Sequence, residues 1–121
     1  MGLGYTKQPV KAHVSNVKTS RAWNTNYHNT TGRPLLVIVT GAMYRSAVAA
    51  ATAGLEARIG VTSPALDLVS VISLKSVDSV AEYIVSNLIF VVPNNYYYQV
   101  IEGVAGAGSR VDKDGRIEVE L

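Results

Sequence analysis

Few side chains in this sequence have the type and spacing that chemistry needs. The imidazoles are His13 and His28, and neither has a carboxylate or a second histidine at metal-ligand spacing. Both read as solvated or hydrogen-bonded rings. There is no cysteine, which excludes disulfides, thiolate zinc sites, iron–sulfur clusters and cysteine nucleophiles. No Gly-x-Ser-x-Gly elbow occurs, and Gly106-Ala107-Gly108-Ser109 lacks the lysine of a phosphate-cradling loop. Glu118 and Glu120 fall on one face of a strand, and paired carboxylates can hydrolyse glycosides. They alternate with Ile117, Val119 and Leu121, however, so they read as the solvated face of an amphipathic strand. Asp112 and Asp114 flank a turn signal and supply too few oxygens for a calcium cage. The expectation is a protein that is not an enzyme and that has no cofactor or metal.

Tyr96-Tyr97-Tyr98 is the most unusual local feature. In a strand, Tyr96 and Tyr98 share one face and Tyr97 takes the other. One reading packs a face into the core with its hydroxyls at the rim. The other makes an aromatic surface for a sugar or a protein. Because the faces differ, both readings stay open.

The elements that must position these residues are strands. A chain of 121 residues fits one domain. Eleven basic and nine acidic residues leave a net charge of +2, close to balance. Lys7, Lys11, Lys18, Arg21 and Arg33 lean toward the N-terminus without forming a run or alternating with aromatics, so no nucleic-acid partner is expected. Met1 to Val10 has glycines and Pro9 where a secretory signal would carry an apolar run. The longest apolar stretches, Leu35 to Val39 and Leu88 to Val92, are too short to span a membrane.

Residues 1–20 read as an extended arm with an edge strand near Val10 to Val14. Arg21 to Asn29 alternates as a half-buried strand, and Thr30 to Pro34 forms a turn. Leu35 to Thr40 reads as a central strand buried on both faces and ended by Gly41. Ser46 to Arg58 favours strand over helix because Gly54 interrupts it and Leu55, Ala57 and Ile59 alternate with Glu56 and Arg58. Leu66 to Leu74 alternates, whereas Val77 to Val85 reads as a helical turn or an irregular edge. Leu88 to Val92 and Tyr96 to Ile101 flank a turn at Pro93-Asn94-Asn95, making a hairpin or a sheet-switching corner. Gly103 to Gly108 reads as a loop, Asp114-Gly115 as a turn, and Ile117 to Leu121 as a closing strand. The fold class is all-β: a β-sandwich or jelly roll of about seven to eight short antiparallel strands over residues 21–121.

The stretch Ser20-Arg-Ala-Trp-Asn-Thr-Asn-Tyr27-His-Asn29-Thr30-Thr31-Gly32-Arg-Pro34, followed by Leu-Leu-Val-Ile-Val-Thr, resembles a motif of phage tail-fibre and related virion proteins. That motif runs Ser-Arg, five residues, Tyr-x-Asn-Thr-Thr-Gly-Lys/Arg-Pro and a hydrophobic run. Val91 to Val100 is similar to the same family's Val-Pro-x-x-x-x-Tyr segment, Ile117 to Leu121 to its Glu-Leu ending, and Gly2-Leu-Gly4-Tyr5 to its opening. The resemblance implies a β-sandwich, usually trimeric, displayed on a virion and made in the host cytoplasm. Its function would be structural, as a fibre-like, decoration or collar component that contacts other virion proteins. Docking would run through the arm, with Gly4, Tyr5, Lys7 and Pro9 as candidate contacts. The alternative is a receptor- or carbohydrate-binding module at a fibre tip, using Tyr96, Tyr97 and Tyr98 on a host surface glycan. Two departures tell against the tip: the short chain opening on Met1 leads us to expect no long fibre shaft before it, and Val119 stands where the family has an aromatic.

If Leu35 to Thr40 is a buried central strand, Val37→Asp should abolish folding, because an unpartnered buried charge costs several kcal/mol, comparable to a domain's whole stability. Soluble protein with a cooperative melt would contradict that placement.

Overall fold

The computed structural model describes residues 13–18, 20–75 and 80–121. The strands in chain order are β1 His13–Asn16, β2 Tyr27–His28, β3 Leu35–Arg45, β4 Thr52–Gly60, β5 Asp67–Lys75, β6 Glu82–Val92, β7 Tyr97–Ala105 and β8 Arg110–Glu120. They form two four-stranded sheets, β1-β8-β3-β6 (sheet A) and β2-β7-β4-β5 (sheet B). Every pairing is antiparallel. β1 pairs with β8, β2 with β7, β3 with β6 and β4 with β5, alternating between the sheets. A long hairpin rolled around a barrel axis gives this order, so the sandwich is a jelly roll.

The core lies between the sheets. Leu35, Val37, Val39 and Met43 of β3 point into it with Leu88, Phe90 and Val92 of β6. Ala53, Leu55 and Ala57 of β4 meet them from sheet B with Tyr98 and Val100 of β7. Small residues on β4 let the sheets approach, and branched residues on β3 and β6 fill the space between them.

Several elements differ from the sequence reading. β1 falls within the stretch read as an arm, and residues 10–12 of the expected edge strand lie outside the described residues. Between Arg21 and Asn29 only Tyr27–His28 is strand. Asn24 there adopts φ +58°, its amide donates to the Val100 carbonyl, and its side chain accepts from the Glu102 amide. β3 runs through Gly41 to Arg45, and its inner face is fully buried; on the outer face Leu36 and Ile38 are partly exposed and the small Ala42 is buried. Gly41 faces inward beneath the Leu55 side chain, so it continues the strand where a larger residue would collide. Residues 46–51 turn and strand resumes at Thr52; no helix occurs among the described residues. β6 already begins at Glu82, β7 extends to Ala105, and Pro93-Asn94-Asn95 is a corner between sheets. Asp114-Gly115 is a bulge inside β8, where Thr40 faces Gly115 and Gly41 faces Lys113, leaving Asp114 as the extra residue.

Gly54 of β4 lies against β5, and a Cβ there would lie 2.5 Å from the Ile72 carbonyl oxygen. Gly103, its neighbour on β7, has open space above it. Gly54→Ala should cost about 1–3 kcal/mol by overpacking while Gly103→Ala costs far less. Denaturant midpoints of the two variants measure the contrast.

Candidate functional site

The motif residues gather at one pole, where two connections pass between the sheets: β2 to β3 through residues 29–34, and β6 to β7 through residues 93–96. Asn29 ties them together. Its side chain is buried, and Nδ2 donates to the carbonyls of Arg33 (2.9 Å), Val92 (3.0 Å) and Pro93 (3.2 Å). Its Oδ1 accepts from the Thr31 amide at 3.2 Å and lies 2.7 Å from the Thr31 hydroxyl. The Asn29 amide donates to the Tyr96 carbonyl, and its own carbonyl accepts from the Asn95 amide. The Gly32 amide, at φ +82°, donates to the Asn94 side chain. Thr30 and Pro34 are exposed, and the Pro34 carbonyl accepts from the Leu121 amide. The motif therefore builds the corner.

The three tyrosines divide as the strand period requires. Tyr98 is 1 % exposed in the core and Tyr96 packs partly against it. Tyr97 faces outward and stacks on His28 with ring centroids 4.1 Å apart and planes 8° from parallel. The His28 ring nitrogen also lies 3.1 Å from the Asn95 carbonyl. Gly4, Tyr5, Lys7 and Pro9 lie outside the described residues.

The closing strand reverses its expected orientation. Glu118 is buried at 5 % exposure and Arg116 at 1 %, while Ile117 and Val119 face outward. Register explains the faces: Val39 stands beside Arg116 and Val37 beside Glu118 on the inner face, Ile38 beside Ile117 and Leu36 beside Val119 on the outer. Alternation alone cannot tell which half of a period-two pattern points inward; the pairing with β3 decides.

Glu118 is the hub of a sealed charge cluster. Arg21 donates to both its carboxylate oxygens, from Nε at 3.2 Å and from a terminal nitrogen at 3.1 Å. The Tyr98 hydroxyl donates at 3.0 Å, and Arg116 pairs at 3.7 Å. The Arg116 guanidinium also lies 5.7 Å from the Tyr27 ring centre and 5.9 Å from that of Tyr98, within cation–π range. Among the described residues its three guanidinium nitrogens find no hydrogen-bond partner. Burial pulls the Arg116 pKa below its usual value, partly offset by Glu118. Burial opposes the Arg21 charge as well, but the hydrogen bond and charge of Glu118 outweigh it and leave the pKa raised. Lys113 completes the cluster, donating to the Arg21 carbonyl over the Trp23 ring; burial, then the Arg116 charge, lowers its pKa. The cluster holds residue 21 and the start of the β1–β2 connection against β8, so Glu118 serves an ion-pair lock rather than a solvated face.

A groove of about 300 Å³ crosses the outer face of sheet B. Gly54 and Gly103 form its floor, Thr52, Glu56 and Ser73 supply polar atoms, and Val71, Ile101 and Val104 supply apolar ones. Glu56 is held by Arg58 at 2.7 Å. The tyrosine triplet does not line this groove. Among the described residues no group of three metal-ligating side chains forms, and no helix is long and apolar enough to cross a membrane.

The outer face of sheet A is apolar across four strands. Val14, Val119, Leu36 and Val91 form one row, and Ile117, Ile38 and Ile89 continue it beside Asn16. Farther along come Val85 and Tyr83, the latter 62 % exposed. Comparison of the chain with protein-family models, curated proteins and solved structures gives no match.

Two predictions test the lock. Glu118→Gln should destabilise by about 3–5 kcal/mol, because it strands buried arginine charge, whereas Arg116→Met should be neutral or stabilising, since Glu118 keeps Arg21. Chemical denaturation separates the two. Burial, reinforced by the Glu118 carboxylate, raises the Tyr98 pKa from 10.0 to about 12, against a smaller opposing pull from Arg21. The fold thus holds the neutral phenol, a contribution complete below pH 10 and lost as pH rises through about 12. Ultraviolet titration should find one phenol ionising late, together with loss of structure; simultaneous titration of all tyrosines in folded protein would contradict it.

Proposed function

We propose that this protein is a structural component of a tailed-phage virion, a fibre-like, decoration or collar piece that docks on the particle through its N-terminal residues. The observation that carries the reading is the reversal of β8. Charged side chains are sealed between the sheets while branched apolar ones face outward. An antiparallel sheet exposed to water normally shows the opposite arrangement. A face built this way belongs to a surface that is covered in use, as in an assembled particle. The resemblance of residues 20–34 to virion proteins supplies the kind of particle, and the structure gives those residues the task of building a stiff corner.

A second reading is supported by the groove on sheet B. Its hydroxyls, one carboxylate and apolar walls suit a host-surface glycan, which would make the protein a receptor-binding module.

Sedimentation with virions assembled without the protein tests both. The full chain should co-sediment, and a variant lacking Met1 to Pro9 should fold yet stay in solution. Failure to bind particles, together with glycan binding that Gly103→Tyr abolishes without lowering the melting temperature, would overturn the virion reading in favour of the second.

A further inference from the structure

We propose that the outer face of sheet A is the contact between copies of this chain. The inference names the partner of the face that carries the virion reading, and it rests on that reading.

Three observations lead to a second copy. The first is charge. Between β1 and β6 the described outer face carries Arg110 and Asp112, which pair with each other at 3.1 Å at its far end, and the exposed bulge residue Asp114 lies beside Gly115. The remaining positions are apolar or neutral: Val14, Val119, Leu36, Val91, Ile117, Ile38 and Ile89, then Thr40, Asn87, Ala42 and Val85. Such a face offers a partner of opposite charge nothing to recognise, but it is complementary to itself. Two copies meeting across a symmetry axis cover both faces at once.

The second is area. Leu36 to Tyr44 spans roughly 27 Å along β3 at about 3.3 Å per residue, and four strands at about 4.8 Å cover roughly 19 Å. Because β1 covers only four residues, one face presents about 450 Å², and a pair removes about 900 Å² from water, close to the roughly 1,000 Å² at which specific contacts begin. The third is extent. Of the fifteen large apolar side chains left exposed among the described residues, five lie on β6 (Tyr83, Ile84, Val85, Ile89 and Val91), and Val80 stands just before it. The free edge of β6 thus continues the apolar surface beyond the face itself. Residues 1–12, the chain's own candidate cover, bring only Leu3, Tyr5 and Val10 as large apolar side chains apart from Met1, too few to match the face.

Light scattering on the full chain across a concentration series tests the contact. Ile89 and Val14 are 54 % and 57 % exposed at opposite sides of the face, so lysine at either is solvated in the free subunit. The wild type should have a mass that is an even multiple of 12.9 kDa, since the face pairs with itself. Ile89→Lys and Val14→Lys should each raise the dissociation constant at least about tenfold with the circular dichroism and melt of a folded protein. Having both keeps a readout if one variant misfolds. Val71→Lys, equally exposed on sheet B, should stay assembled. Assembly that survives both face variants, or that Val71→Lys alone disrupts, overturns the proposal. A wild type that is monomeric at every concentration also overturns it. If that monomer still binds virions, the virion reading stands and the face meets a different virion protein. If it assembles only once residues 1–12 are deleted, that segment is the cover. An oligomer that obeys these expectations but ignores virions keeps the contact and refutes the virion reading instead.

Discussion

One buried amide holds the roll of this chain in place. At the pole near Asn29 the chain crosses twice between the sheets, and each crossing leaves carbonyls that no strand can satisfy. The two protons on Asn29 Nδ2 are shared among three of them, drawn from both crossings. Removing that group would take a donor from three carbonyls at once; those of Arg33 and Pro93 would keep the Thr31 hydroxyl and the Tyr96 amide, so the cost, about 1–3 kcal/mol, falls mainly on the buried Val92 carbonyl. At the opposite pole a lighter stitch does the same work. The Ser109 hydroxyl accepts from the Ser46 amide and lies 3.2 Å from the Ser46 hydroxyl, joining the β3–β4 and β7–β8 connections. Sheet pairing alone would allow the two layers to slide; the tied crossings fix their offset and hence the core contacts between β3 and β4.

With the offset fixed, the interior accepts a charge cluster directly beside its apolar centre. Leu35, Val37 and Val39 share the inner face of sheet A with Glu118 and Arg116, so one sheet face changes character from one strand to the next. The carboxylate is tolerable because Arg21, Tyr98 and Arg116 converge on it from the β1–β2 connection, sheet B and its own strand. Buried ion pairs contribute little net stability, but they penalise any register that separates them. In β8, whose apolar and charged residues alternate evenly, that penalty selects which half points inward.

The sequence makes the strand content legible because branched and aromatic residues alternate with turn formers at short intervals, and β3, β6 and β7 appear where those runs lie. Strand ends depend on contacts that no local pattern carries. Gly41 and Gly115 look like terminators, yet one lies under Leu55 and the other beside a bulge, facts fixed by neighbours distant in sequence. The orientation of β8 was illegible for the same reason, and nothing local joins Arg21 to Glu118, 97 residues away. Asn29 was readable as a turn former; that it reaches Val92 and Pro93 was not. That Tyr96 and Tyr98 share a face opposite Tyr97 follows from the two-residue period; that their face is the inner one does not.

The pairing of β1 with β8 has a practical corollary. His13 stands opposite Glu120, so the first and last described strands enter and leave the sandwich side by side. A short linker could close the chain into a ring there, and new termini could be opened in the turns at 46–51 or 106–109 on the far pole without cutting a strand. Cargo attached at His13 or Glu120 would leave from one pole only, and the distant turns would stay free to present an inserted peptide.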